Sequence, residues 1–551
     1  MTRSSKFRSL AAALGALCVA AACGGGGTTT TSETLAADQT LSFPINDDVG
    51  DLDPAHMSAA VDIDLFQNVF SGLYKFDSKL AEVPDIATAP PVISADGLTY
   101  TFTMRKDAKF SDGSGIKADD FIFSWNRAAR IQGDYASVFE PVVGYDAVAK
   151  GTTKTMTGLK KIDDYKFSAT LTSPAAYWFT EVGLWTAWVV SEKAIIAGGG
   201  DDKWFTDPKY LIGSGQFKMT ARTPKQSLDF APVANWYGGS TGVLQKVHIE
   251  VIADQKAQVT KYESGNYSAI GPMNQSLTPE DVIRYNSSPT LKSQLQLLPQ
   301  ARTTWIGFNL KTGPFAGIDA GKAGRHAFST AVDRDQLVDI ACSKGTACFK
   351  ATGGLITKGL QGYLGDGTNP ATKFDPAAAL AEYKAWDPTG SKVAGLVYTY
   401  NSSAFNKAVC ENLVSQWKKN LNVTVQCTAQ DRKSFFAART KCSYPIFRHS
   451  WGADYDHPQD WFDFLIVTGA GSGGSCYSNP TVDAMAKDAN SKPLAQSLDT
   501  YKKMGQIVVD QVIAPELVYG IQQYLVHPYV KGVSGSALYD YRWSEVRILQ
   551  H

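Results

Sequence analysis

"KVAGLVYTYNSSAFNKAVCENLVSQWKKNLNVTVQC", residues 392–427, sets two short β-rich runs on either side of a long helical pattern. Val409, Leu413, Trp417 and Leu421 recur every four residues, which puts them on one face of a helix. Strand, helix, strand is a βαβ unit, and it predicts two parallel strands and an α/β fold. Working outward, "SYPIF" (443–447) reads as a further strand that runs straight into "HSWGADYDHPQDWFDFL" (449–465), which packs four aspartates among five aromatics. A carboxylate in such company is either solvated or waiting for a cation, because a buried unpaired charge is costly. Ligands of open α/β sheets gather just beyond the carboxyl ends of strands, and Asp454 occupies such a place.

The chain has 551 residues, 44% of them hydrophobic and 11% aromatic, which is enough for two or three domains with substantial cores. Lys plus Arg and Asp plus Glu both number 53, so there is no broad basic field of the kind nucleic-acid binding needs. "TLSFPIND" reads as a first strand, followed by a helix with Val61, Leu65, Val69 and Leu73 at helical spacing. Tyr100, Phe102 and Met104 alternate as a strand, ahead of a turn at 112–115 and a helix capped near Asp119. There is no internal repeat.

At the N-terminus, Arg3, Lys6 and Arg8 precede an apolar run from Leu10 to Ala22, which is short for a spanning helix and reads as an export signal over residues 1–22. Its removal leaves a formal net charge of −3. "AAAC" then presents Cys23, followed by glycines and a Thr/Ser tract suited to a flexible tether over 23–38. The pattern resembles a bacterial lipoprotein signal in which Cys23 becomes the lipidated first residue; the departure is Ala20, where such signals usually carry Leu. Six further cysteines, Cys342, Cys348, Cys410, Cys427, Cys442 and Cys476, all lie in the C-terminal half. In an exported protein they read as up to three disulfides, and pairing of neighbours is the simplest of fifteen connectivities.

The motifs of catalysis are weak. "GGSTG" (238–242) matches the serine-hydrolase elbow but leads into a strand where the elbow needs a helix, so it reads as a turn. His449 and His457, near Asp454 and Asp456, read as solvent-facing imidazoles and not as a metal site. No GxxxxGK[ST] segment exists, so the chain itself carries no nucleotide-hydrolysing loop.

Several segments taken together resemble one family. "DGLTYTFTMRKDAKFSDGSGIKADDFIFSWNRA" is similar to the signature region of the extracellular solute-binding proteins of family 5, the oligopeptide and dipeptide receptors of ABC importers. "LIGSGQFKM", "WIGFNLKTGPF", "AFSTAVDRDQLVDI", "FDPAAALAEYKAW" and "WGADYDHPQDWFDFL" follow in the family's order, over about residues 40–545. The resemblance implies a type II periplasmic-binding-protein-like fold: two lobes around a ligand cleft, with an extra domain inserted in the first. Lobe 1 is expected over 39–75, 206–300 and 520–551, the inserted domain over 76–205, and lobe 2 over 301–519.

It further implies a receptor that captures short peptides by lobe closure and delivers them to ABC permease subunits. It would be a monomer with no cofactor or metal, no enzyme, and anchored outside the cell membrane by lipid alone. In peptide-binding members the acid at the position of Asp454 pairs with the ligand's free α-amino group. Main-chain groups at Ser450 and Gly452, and at Ser58 and Ala60 on the facing lobe, pair with the peptide backbone. Arg448 matches an arginine near the pocket, and Trp451 and Tyr455 are expected to line it. Asp456, Asp460 and Asp463 read as solvated or capping, with Asp460 starting the helix whose core faces are Trp461, Phe462 and Phe464. Ser58 stands where some members carry an acid. The competing readings are a receptor of the same fold for a metal chelate, opine or oligosaccharide, and, from another class, a secreted hydrolase.

Overall fold

The computed structural model describes residues 34–271, 277–533, 535–539 and 541–551; the expected export signal and Cys23 lie outside them. The βαβ unit forms as its periodicity requires. Val397–Asn401 and Gln426–Gln430 pair in parallel, with Tyr398 opposite Cys427. Between them runs the helix Ala404–Leu421, capped by Ser403, whose hydroxyl accepts the Asn406 N–H, and closed by Asn422 in the left-handed region (φ 58°). Val409, Leu413, Trp417 and Leu421 are all buried, and the Trp417 indole donates to the Phe328 carbonyl (2.8 Å).

This unit sits at one side of a seven-stranded mixed sheet, which is the core of the second lobe. The first lobe holds a four-stranded sheet in which Thr40–Ile45 runs parallel to Lys246–Val251. The inserted domain adds a four-stranded antiparallel sheet, and the two share one continuous hydrophobic core. Tyr100, Phe102 and Met104 point into it as their alternation predicts. Two long antiparallel strands, Leu295–Phe308 and Glu516–Val526, join the lobes: Leu525 packs in a small cluster with Tyr262 and Ile270, whereas Trp305 and Leu517 belong to the core of the second lobe. The expected boundaries at 300/301 and 519/520 fall inside these strands. The register between them breaks between Pro299 and Thr303, close to the crossing.

Two local expectations change. The first helix is only Ala60–Phe66, so Val69 and Leu73 are buried from the turns that follow it. There the Val69 carbonyl is taken by the Gly215 N–H (2.7 Å) and is lost to any helical bond. The second helix starts at Ala118, with Lys117 as N-cap and Asp120 accepting the Lys117 N–H (2.7 Å), so the cap precedes Asp119.

Long-range polar ties hold the inserted domain in place. Arg127, buried, donates to both oxygens of the fully buried Asp53 and through Nε to Asp201 (2.7 Å), while the Trp204 indole also reaches Asp53 (2.9 Å). The six cysteines join as neighbours: Cys342–Cys348, Cys410–Cys427 and Cys442–Cys476. The second of these staples the crossover helix to the strand it leads into.

Removing a partner from a buried ion pair strands the other charge, so Asp53→Ala is expected to cost about 3–5 kcal/mol in chemical denaturation. The sequence separations of the disulfides, 34, 17 and 6 residues, order their loop-closure entropies. Paired Cys→Ser replacement should cost about 4 kcal/mol for Cys442–Cys476, about 3 for Cys410–Cys427 and about 2 for Cys342–Cys348.

Candidate functional site

The strand Ile446–Gly452 is paired along its whole length on one side and for two residues on the other. On the first side it meets Leu295–Phe308, from Ile446 opposite Phe308 to Gly452 opposite Arg302. On the second, Val397–Asn401 meets it only at Ile446 and Phe447. The Ala453 N–H donates to the Ala301 carbonyl (2.8 Å) and the Asn309 N–H to the Pro445 carbonyl (3.1 Å). The odd-numbered residues therefore aim their main chain at the long strand. By the two-residue period, Arg448, Ser450 and Gly452 aim theirs the other way; the Thr399–Phe447 bridge takes the Arg448 N–H, and from the Arg448 carbonyl to Gly452 the edge has no strand neighbour among the described residues.

That edge is one wall of a cavity of about 890 Å³ between the lobes. The facing wall carries Asn46 and Asp47, just past the Thr40–Ile45 strand, and Ser58 to Val61. Ser58, Ala59 and Ala60 are exposed, and Ala59 is extended (φ −90°, ψ 134°). Of the residues expected at the site, the cavity brings together Asp454, Gly452, Ser450, Arg448, Trp451, Ser58 and Ala60.

At one end the Asp454 carboxylate accepts the Tyr135 hydroxyl of the inserted domain (2.9 Å), and the Tyr539 hydroxyl donates to the Asp454 carbonyl (2.8 Å). Behind it lies Asp460, fully buried, which accepts the Trp451 indole N–H (2.9 Å). Burial pushes the Asp454 carboxyl up to about 6, against the pull of the Tyr135 hydroxyl and of Arg302. Burial, and then the negative Asp454 beside it, hold Asp460 well above the usual carboxylate range. Of the pair, Asp454 is the first to ionise and Asp460 behind it the one that holds its proton longer.

Apart from Asp454, the second-lobe wall of the cavity is cationic, and it faces Asp47, Asp64 and Asp134 of the first lobe and inserted domain. Arg302, Arg432, Arg439 and Arg448 line it, and none has a carboxylate within ion-pair distance among the described residues. Arg439 is buried, with Nε and Nη1 unpartnered; Arg448 leaves Nε unpartnered and reaches the Asn401 side chain at 3.3 Å. Burial, then repulsion from Arg302 and Arg439, bring Arg448 down to about 9, and burial alone brings Arg439 to about 10. Both remain cationic at neutral pH.

The structure moves several residues away from their expected places. Tyr455 does not line the cavity: its ring is buried in the core of the first lobe. Asp460 is neither solvated nor a cap, because His457 caps the helix Pro458–Leu465, its Nδ1 accepting the Gln459 N–H (3.1 Å). Asp463 is partly buried and takes the side-chain amides of Gln459 (2.8 Å) and Asn490 (2.7 Å); Asp456 accepts the Gln361 N–H (2.7 Å). His449 and His457 are buried, not solvent-facing. His449 stacks on Trp305 (4.1 Å between centroids) and bonds the Ser472 carbonyl (2.9 Å), and burial keeps both imidazoles neutral. Among the described residues no cluster suited to a metal ion occurs. Sequence reasoning missed Tyr135, Tyr539, Arg302, Arg432 and Arg439; the only local signal was an arginine nine residues before Arg448.

A family model described as bacterial extracellular solute-binding proteins, family 5 (middle part) matches residues 81–472. The chain belongs to that family. Among the relatives of this family 5 protein, the periplasmic murein peptide-binding protein MppA of Escherichia coli K12 is 26% identical over 527 residues, covering 90% of this chain and 91% of MppA. The periplasmic oligopeptide-binding protein OppA of the same organism is 25% identical over 544 residues, 97% of each chain. Among solved structures, the unliganded open form of MppA superposes with a TM-score of 0.77 at 23% identity, over 95% of this chain and 99% of that one. The fold is thus that of the two-lobed type II binding proteins.

A buried guanidinium with unpartnered donors costs stability in the empty protein. Arg439→Met should therefore leave the thermal midpoint of the ligand-free family 5 protein unchanged or raise it. A fall of more than 1 kcal/mol in denaturant titration would show that Arg439 serves the fold.

Proposed function

We propose that this chain is the receptor of an ABC importer and binds short, extended peptides with free termini. The observation that supports this is the arrangement of the cavity. A strand edge is open from the Arg448 carbonyl to Gly452, an ionised Asp454 closes one end, and Arg448 and Arg439, without carboxylate partners, stand at the other. A peptide laid on that edge bonds through its main chain, as an added strand does, so affinity would not depend on side-chain identity. Ser58 to Ala60 offer the second, facing edge. Asp454 takes the α-ammonium, and Arg448 with Arg439 takes the carboxylate. The ligand then runs antiparallel to the 446–452 strand. From Gly452 to Arg448 is four residue steps, about 13 Å, which suits a peptide of about three to five residues.

The chain would be exported, held outside the membrane by lipid on Cys23, and monomeric, with permease subunits as partners and no catalytic step. Cys23→Ala should move it from the membrane fraction to the medium; retention in the membrane would count against the anchor.

Binding of an alanine tri- or tetrapeptide should weaken about 30-fold or more on N-acetylation, and by a similar factor for Asp454→Asn. The ammonium needs ionised Asp454, and this group's pKa is raised, to about 6. Affinity is therefore full above pH 6 and falls about tenfold per pH unit below it, while Asp454→Asn removes that limb. Calorimetry with free and acetylated peptides decides: equal affinity for both would overturn the role of Asp454. A tightly held non-peptide ligand in the purified protein would move the function to a dedicated solute.

A further inference from the structure

Besides Asp454, a second acid is buried where the lobes meet. Glu181 ends the short helix Trp178–Glu181 of the inserted domain and is 6% exposed. Across the interface comes Tyr455 of the second lobe, its ring in the core of the first lobe and its hydroxyl 3.0 Å from Glu181 Oε1. The same hydroxyl also contacts Gln459 Oε1. Gln459 in turn reaches Asp463 Oδ2 (2.8 Å), which also accepts from Asn490 (2.7 Å). Nearby, the Ala176 N–H donates to the Asn490 carbonyl (2.9 Å), a main-chain bond between the lobes. The groups facing Glu181 are Tyr455, Asp454, Asp460 and Asp463 from the second lobe, and Glu140 and Tyr177 from the inserted domain. None of them is cationic.

The protons in this chain can be counted. Tyr455 owns one hydroxyl proton and touches two acceptors. If the proton goes to Gln459 Oε1, then Tyr455 Oη and Glu181 Oε1 face each other as two oxygens unless Glu181 carries a proton. If the Gln459 amide is turned end for end, its NH₂ serves Tyr455 and the tyrosine proton serves Glu181. That turn, however, sets Gln459 Oε1 against Asp463 Oδ2, and this contact then needs a proton on Asp463. Either arrangement holds one proton on the two carboxyls. When the lobes part, Glu181 loses Tyr455, meets water, and ionises in the ordinary range of about 4.3.

We propose that lobe closure takes up one proton, shared between Glu181 and Asp463 through Tyr455 and Gln459, so that low pH favours the closed form and rising pH loosens it. Burial is the reason the proton is held: it raises Glu181 well above the usual carboxylate range and Asp463 to about 6, and neither has an ion-pair partner among the described residues, although Lys487 and Asp483 line the same surface pocket as Asp463. The sign follows. A proton bound in the closed form and absent in the open one makes the closed-to-open ratio fall about tenfold per pH unit between the open and closed pKa values. This device concerns closure itself and does not depend on the ligand being a peptide.

The count yields a sharp consequence. Glu181→Gln supplies the missing hydrogen permanently. So does Asp463→Asn, by letting Gln459 turn and donate to Tyr455. Either isostere alone should therefore remove the proton requirement. The test is small-angle X-ray scattering of the ligand-free mature chain at pH 5, 6, 7 and 8, comparing wild type, Glu181→Gln and Asp463→Asn, with near-ultraviolet circular dichroism to confirm folding. The wild type should be more compact at pH 5 than at pH 8, and both variants should lose about one proton's share of that difference, leaving only what Asp454 and Asp460 contribute. Identical curves for wild type and variants at pH 8, or a pH dependence as steep in either variant as in the wild type, would overturn the proposal. Loss of peptide binding with the scattering pattern intact would instead fault the peptide reading.

Discussion

An unpaired strand edge inside a folded protein must be met by something, because its main-chain donors and acceptors cannot be left dry. Arg448, Ser450 and Gly452 form such an edge. It exists because Val397–Asn401 parts from Ile446–Gly452 after two residues, while staying paired with Gln426–Gln430 along its other side. The same divergence opens the cavity and puts Asp454 at its end, immediately past the strand. The long crossing strand keeps the other side of the edge straight and fully bonded, so the free groups point into the cleft and nowhere else. Ligand capture in this fold starts from a deliberate gap in a sheet.

Much of this was legible because its causes are local. The crossover helix follows from four apolar residues at helical spacing, and Cys410 closes on Cys427 because helix and following strand are neighbours in a βαβ unit. Asp454 could be picked out by its position after a strand. What stayed hidden depends on partners far away in sequence: Tyr135 is 319 residues from Asp454 and Glu181 is 274 from Tyr455. Residue type reads Asp460 as solvated or as a helix start and His449 and His457 as solvent-facing, and it carries no knowledge of the second lobe. His457 serves as a helix cap, a role more often filled by Ser, Thr, Asp or Asn, and Asp460 is a buried acceptor for Trp451.

The cleft also segregates charge. Arg302, Arg432, Arg439 and Arg448 line the second-lobe wall, with Asp454 at one end beside Arg302, and Asp47, Asp64 and Asp134 lie on the facing side. Neither set is satisfied by the other: no carboxylate lies within ion-pair distance of Arg302, Arg439 or Arg448 among the described residues. A protein that kept these groups for stability alone would pair them internally. Held apart, they leave the empty cleft with desolvated charge of both signs, which a ligand carrying opposite charges at its two ends relieves.

Asp454 and Glu181 face the same difficulty and resolve it differently. Each is a carboxyl enclosed when the lobes meet. Asp454 opens on the cavity, so a cation from outside can reach it, and Arg302 and the Tyr135 hydroxyl keep it ionisable near pH 6. Glu181 opens only on Tyr455, which has one proton to give and two acceptors to serve. With no cation able to reach it, a proton is the only charge that can neutralise it. A ligand shifts the lobes only by as much as it prefers the closed form. The same holds for a proton, so the two acids add their biases to one equilibrium. Both respond to pH, and the first also to what lies in the cleft.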